Sequence, residues 1–352
     1  MRVLSAADAV SPAIQRTREF LFRPFRWGTY LKLGLVAIVT EGVGNNFRSS
    51  SHGNHPSGQI PHVPMTQSPF DIAPVWFAAI VAAALLALII AMFVLYLVTR
   101  LRFAFFHCLI RNTKEIGPGW WLYREQASRF FWMNVGVGFC YLLGLVLILL
   151  PFARGFWRLF RESQQTGHLD LGLLVSLLLP LIPIILLLVL AGIAIDVILR
   201  DWMLPHYALE DAGAGEAWSG VWARITAEKK QFVAYALLRL VLPTIAIIGV
   251  FIVLIIPGLI LAGSLAMVEF GLHSAFADAT GGAAVTGLLL EGFFGVLAFI
   301  FGLLASICIG GPVATWIREY ALMFYGGRYQ PLGDALYPPT LQPPAPGAQQ
   351  FA

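Results

Sequence analysis

Charge is scarce in this chain: Asp, Glu, Lys and Arg make up 12% of its 352 residues, and 58% are hydrophobic. A water-soluble domain carries about 25% charged residues. A chain this apolar has too few polar groups to cover its own surface, so a soluble globular fold is excluded and its length is first divided into membrane spans. Cysteine is scarce as well. Cys108, Cys140 and Cys308 are isolated within or beside apolar runs, which excludes a disulfide framework and a thiolate metal site and leaves small buried side chains. A nucleophile elbow, a phosphate-cradling glycine loop, a zinc-protease histidine pair and a dinucleotide fingerprint are all missing. No catalytic, cofactor-binding or metal-binding residue is therefore assigned, and the chain reads as a non-enzyme without a cofactor. Met1 to Phe22 has no apolar stretch before its arginines, so no removable signal peptide is expected.

What the chain does have is long apolar runs, at residues 27–43, 74–98, 130–152, 171–199, 232–268 and 287–315. The fold class that follows is an all-α integral membrane protein of about six transmembrane helices. Between the runs lie two charged, tryptophan-bearing segments spaced one hundred residues apart, from Arg100 and from Arg200. In the first, Gly117-Pro118-Gly119 predicts a turn, after which Trp120, Tyr123, Ala127 and Phe130 share a helical face. In the second, Trp218, Val221, Trp222 and Ile225 fall at i, i+3, i+4 and i+7, the pattern of an amphipathic helix. Both are read as interfacial elbow helices, with Trp120, Trp121, Arg124, His107, His206, Trp218, Trp222 and Arg224 as the residues of interest.

The elbows suggest three parallel-repeat helical hairpins over residues 11–100, 101–200 and 201–325, related by an axis along the membrane normal. They form one transmembrane domain over residues 1–330. Ahead of the first span, Ser11-Pro12 starts an interfacial helix on which Ile14, Thr17 and Leu21 share a face. Residues 44–72 form an exposed outer loop, residues 269–286 a second loop, and residues 331–352 a disordered, proline-rich tail. Seventeen of the 23 Lys and Arg fall on one side of these spans and four on the other, which places both termini in the cytoplasm of a bacterial inner membrane. The net charge of +4 fits basic residues held against anionic headgroups; nucleic acid is not expected as a partner.

The runs "SPAIQRTREFLFRPFRWGTYLKLG", "LPHYALEDAGAGEAWSGVWARITAEKKQFVAYALLRLVL" and "WIREYALMFYGG" resemble uncharacterised bacterial multi-span proteins. They are also similar to the membrane domain that accompanies glycerophosphodiester phosphodiesterases. The resemblance implies architecture and carries over no catalytic residue.

Within the spans, ionisable residues are candidates because burying a charge in hydrocarbon is costly. Glu41, Asp196, Arg239 and Glu291 qualify. Asp196 and Arg239 are expected to pair with each other, and Glu41 and Glu291, toward the outer ends of their spans, either to line a shared polar vestibule or to snorkel to the outer surface. Pro180 and Pro183 are expected to kink the fourth span. His52, His55 and His62 in the outer loop offer metal-ligand chemistry, but the carboxylates or cysteines that would complete a site are missing nearby. The functional expectation is a lipid- or partner-interacting scaffold with an aromatic, basic cytoplasmic face, its partners being the bilayer, anionic headgroups and a membrane or cytoplasmic protein. The alternative is a transporter of a small solute or lipid.

Overall fold

The computed structural model describes residues 3–46, 74–166, 171–276 and 282–337. Every regular element among them is helical. The chain runs through α1 (Val10–Phe22), α2 (Trp27–Asn46), α3 (Pro74–Arg111), α4 (Ile116–Leu122), α5 (Arg124–Thr166) and α6 (Leu171–Val197). A π-helical segment, Ile198–Met203, then leads to α7 (Leu204–Leu209), α8 (Ala214–Ala227), α9 (Lys229–Phe276), α10 (Gly282–Gly326) and α11 (Gln330–Leu336).

Six segments are long and apolar enough to cross a membrane: Ala78–Arg111, Arg124–Gln165, Leu174–Leu209, Lys229–Ile256, Gly258–Phe276 and Val285–Gly326. A bilayer core needs about 20 helical residues. With 43 and 48 residues, α5 and α9 are about twice that length. Leu and Ile dominate their exposed surfaces, and a surface of that kind is stable against lipid tails and unstable in water.

Four of the six expected apolar runs each overlap one crossing segment, the run at 27–43 overlaps none, and the run at 232–268 is divided between two; the helices also continue beyond the runs. No backbone group needs water to continue a helix, so α3 passes through Arg100 to Arg111, α9 reaches Phe276 and α10 runs on through the Trp316 to Tyr325 segment. Of the loop expected over 269–286, residues 269–276 belong to α9 and residues 282–286 to α10, and the remainder lies outside the described residues. Gly117-Pro118-Gly119 is part of the short helix α4 and not a free turn. Proline fits the first turn of a helix, where its missing N–H would have had no partner. Likewise α5 continues through Pro151, and α6 through Pro180 and Pro183. On α1 the buried face is Ala13, Thr17, Phe20 and Leu21, while Ile14 is exposed, so the face lies one position away from the expected one. The tail expected to be disordered from Pro331 begins as α11, with Leu332 and Leu336 buried. The rest of that tail and the outer loop with His52, His55 and His62 lie outside the described residues.

The chain divides into two compact units. Unit 1 holds residues 1–43, 107–115 and 225–352; unit 2 holds residues 44–106 and 116–224. In unit 1, α2 crosses α10 at glycine. A Cβ on Gly311 would lie 2.7 Å from the Gly34 Cα, so only the lack of side chains permits the approach. At one end of this unit Tyr235 stacks on Tyr320 and Phe324, with ring centroids 5.0 and 4.4 Å away. In unit 2 a chain of rings runs from Tyr123 through Phe103 and Phe130 to Tyr207, with centroid spacings of 5.9, 5.5 and 5.1 Å. Further along, Tyr141 on α5 donates to the Leu188 carbonyl of α6 at 2.8 Å. Gly192 leaves room for that phenol, because a Cβ there would sit 2.9 Å from its oxygen.

Candidate functional site

Two constellations carry the polar chemistry, one in each unit. In unit 1 the centre is Glu319 on α10. Its side chain is 0% exposed, and its Oε2 lies 3.2 Å from the Nε of Arg16 on α1. Its Oε1 finds no hydrogen-bond donor among the described residues. Arg16 uses the rest of its guanidinium on backbone, donating to the Leu109 carbonyl at 2.8 Å and more weakly to the Leu336 carbonyl at 3.4 Å. One side chain thus joins α1, the end of α3, α10 and α11. An open cleft of about 750 Å³ adjoins it, lined by Arg16, Glu19, Arg111, Asp334 and Tyr337 among others. Nearby, Arg328 makes an equivalent knot, pairing with Glu228 at 2.8 Å, donating to the Leu4 carbonyl and stacking 4.1 Å over Phe324. Beyond α3, Lys114 donates to the Pro24 carbonyl at 2.7 Å. Partial burial and the Arg26 cation hold its ammonium below the usual lysine range.

In unit 2 the elbow residues gather in pairs. Arg100 donates to the Trp120 carbonyl at 2.9 Å and lies 4.2 Å over the Trp120 ring, with Trp121 at 5.6 Å. Trp218 and Trp222 stack at 6.0 Å, and both are about half exposed, because the buried face of α8 is Ala217 and Val221. His206, buried on α7, lies 3.0 Å from Glu210 Oε2. Gly220 admits α8 against that imidazole: a Cβ there would be 3.3 Å from its Cε1 and 3.2 Å from Arg224. Arg224 itself donates to the Gly220 carbonyl at 2.7 Å. Arg124 is exposed in the first turn of α5. His107 is half-buried on the last turns of α3, in unit 1, and so stands in a different surrounding from His206.

The intramembrane residues pair differently from the expectation. Asp196 bonds Arg200 one turn along its own helix. Arg239 bonds Glu41 at 2.9 Å, with the two side chains 10% and 9% exposed. The expected Asp196–Arg239 pair is thus replaced by two others: one is local, where i, i+4 spacing holds the partners together, and the other joins α2 to α9. Glu291 meets His273 at 3.2 Å beside a cleft of about 320 Å³ lined by Ala266 and Phe270. Glu41 is covered by its arginine and does not line the cleft beside Glu291.

Sequence reasoning missed Arg16, Glu319 and the Arg328–Glu228 pair. A signal for Glu319 was present. The tripeptide Tyr-Ala-Leu follows His206 and again follows Glu319, so the glutamate holds the same place beside that tripeptide as the histidine. Among the described residues, no group of His, Cys, Asp and Glu is arranged to hold a metal ion.

A model of a family of unknown function, DUF7544, matches residues 4–334, nearly the whole chain. No curated protein and no solved structure matches. The family match carries no link to the membrane domain of glycerophosphodiester phosphodiesterases, so that part of the resemblance has no support here.

Proposed function

The chain belongs to this family of unknown function, and we propose that it is a non-enzymatic scaffold of the bacterial inner membrane that engages lipid headgroups or a protein partner through its elbow face. The observation that carries this reading is the set of solvent-side tryptophans in unit 2: Trp121, Trp132, Trp218 and Trp222 are 68%, 65%, 47% and 51% exposed. Trp121 lies beside Arg100, and Trp222 lies two residues before Arg224 on α8. Tryptophan held open to solvent costs free energy unless something amphipathic covers it, and the membrane interface is where the indole is most stable. In this reading the three hairpins keep one orientation, both termini are cytoplasmic, and the elbows rest on the inner leaflet. Quenching by brominated lipids in reconstituted vesicles tests it. Replacing Trp218 and Trp222 with Ala should remove a quenchable fraction of the emission and lower recovery of associated lipid or protein. Emission insensitive to shallow-brominated lipid would refute contact with the interface.

The transporter reading is favoured by one feature, the Glu41–Arg239 pair inside apolar helices, since ionisable residues there commonly line a substrate path. The pair is mutually satisfied and tightly covered, and this supports a structural tie better than a path. Uptake by vesicles containing the wild-type protein, lost in a Glu41→Gln variant, would reverse that preference.

A further inference from the structure

Arg154, Arg158 and Arg161 stand at i, i+4 and i+7 of α5 and so form one stripe about 10 Å long. With Leu150, Ala153 and Trp157 they make up one open face of α5 in unit 2. The other side of this helical stretch is occupied: Leu177 of α6 packs where a side chain on Gly155 would project, and Leu159 is buried. The stripe therefore faces away from the packed side of α5.

None of the three guanidiniums has a hydrogen bond or ion pair among the described residues. The contrast within the chain is clear: Arg16, Arg129, Arg200, Arg239 and Arg328 each face a carboxylate. Three like charges on one face repel one another, and a helix does not gain stability from such an arrangement on its own. The level of the stripe is also informative. It begins one turn beyond a lipid-facing run that includes Leu143, Leu147 and Leu150, all at least half exposed, and it contains Trp157 at 58% exposure. This is where phosphate groups lie in a bilayer, one step outside the acyl region.

We propose that Arg154, Arg158 and Arg161 form a binding site for a phosphomonoester dianion carried on a lipid, the phosphate held by the arginine forks and the chain laid against Leu150 and the apolar surface of α5. A phosphomonoester carries about −1.5 to −2 charges near neutrality, against −1 for a phosphodiester, and three guanidiniums match the larger charge. Arginine also bonds phosphate oxygens two at a time, which lysine cannot do. This site lies apart from Trp218 and Trp222, so its test stands independently of the scaffold reading.

The test is native mass spectrometry of the full chain released from nanodiscs containing phosphatidic acid, phosphatidylglycerol or phosphatidylcholine. Wild type should retain phosphatidic acid about tenfold more than phosphatidylglycerol, and the triple variant Arg154→Gln/Arg158→Gln/Arg161→Gln should lose that excess. A Lys229→Gln/Lys230→Gln control should keep it. Should the triple variant not be recovered folded, Arg158→Gln alone is compared, with about a threefold loss expected. Equal retention by wild type and either arginine variant overturns the site. Equal retention of the two anionic lipids overturns the dianion preference. Displacement of bound lipid by millimolar glycerol 3-phosphate overturns the lipid assignment in favour of a soluble phosphomonoester.

Discussion

In unit 1 the carboxylates of Glu319 and Glu41 are 0% and 9% exposed, and each faces one guanidinium. In unit 2 the paired carboxylates of Asp196, Glu210 and Asp211 are 43%, 46% and 62% exposed. The same kinds of partner thus do different work. At Glu319 and Glu41 a lost arginine strands a carboxylate away from water, so these two pairs act as conditions for assembly, whereas Glu228 and Glu291 of the same unit are 40% and 29% exposed. Within unit 2 loss of the basic partner leaves a carboxylate that water can solvate, although Arg200 and His206 are themselves buried, and the Phe103, Phe130 and Tyr207 rings add cohesion. One unit should therefore fail abruptly on single polar changes, and the other should weaken by degrees on apolar ones.

The largest effect should come from Glu319→Ala, which leaves Arg16 without its counter-charge. A loss of about 3 to 5 kcal/mol is expected, read as a drop in the unfolding midpoint in detergent. Adding Arg16→Met should restore part of it; a double variant as unstable as the sum of both single changes would break the comparison. Next is Gly311→Leu, whose new side chain meets the Gly34 backbone at 2.7 Å. Overpacking of this kind costs about 1 to 3 kcal/mol, whereas Gly249→Leu, which meets nothing within 4 Å, should be neutral in the same assay.

In unit 2, Phe130→Leu keeps most of the buried volume and forfeits two edge-to-face ring contacts. About 1 to 1.5 kcal/mol should be lost, with unit 1 unaffected in proteolysis of the native protein. The smallest effect belongs to Arg129→Gln. Its pair with Asp211 is exposed on both sides, so the change should fall within about 1 kcal/mol and diminish further in high salt. A large, salt-insensitive loss there would show that unit 2 depends on charge after all.

The sequence carried the membrane class and four of the long apolar runs, because hydropathy reports lipid exposure directly; the run at 27–43 matches none of the six crossing segments and the run at 232–268 falls across two of them. Helix ends were less legible. Arg100 and Trp316 mark where the apolar surface stops, while the backbone hydrogen bonds of α3 and α10 continue past them into a packed, aromatic end. Charge partners were least legible, since pairing depends on which helices touch. Arg239 and Asp196 matched in sign and depth along the chain, yet Arg239 is opposite α2 and Asp196 is within reach of Arg200. Periodicity placed Trp218, Val221, Trp222 and Ile225 on one expected face, but it did not say which side of α8 is covered: Ala217 and Val221 are inside, and the two indoles are about half exposed.

The π-helical segment Ile198–Met203 sets the phase of everything after it. A π turn holds about one residue more than an α turn, and each helical residue advances the side chain by about 100°. Removing one residue there would let the segment relax to an ordinary helix and would turn Tyr207 away from its present neighbour Phe130 on α5, without altering a single contact residue. The spare residue works as an indexing step: lipid-facing leucines on α6 and core-facing side chains on α7 lie on one continuous rod, yet look in different directions.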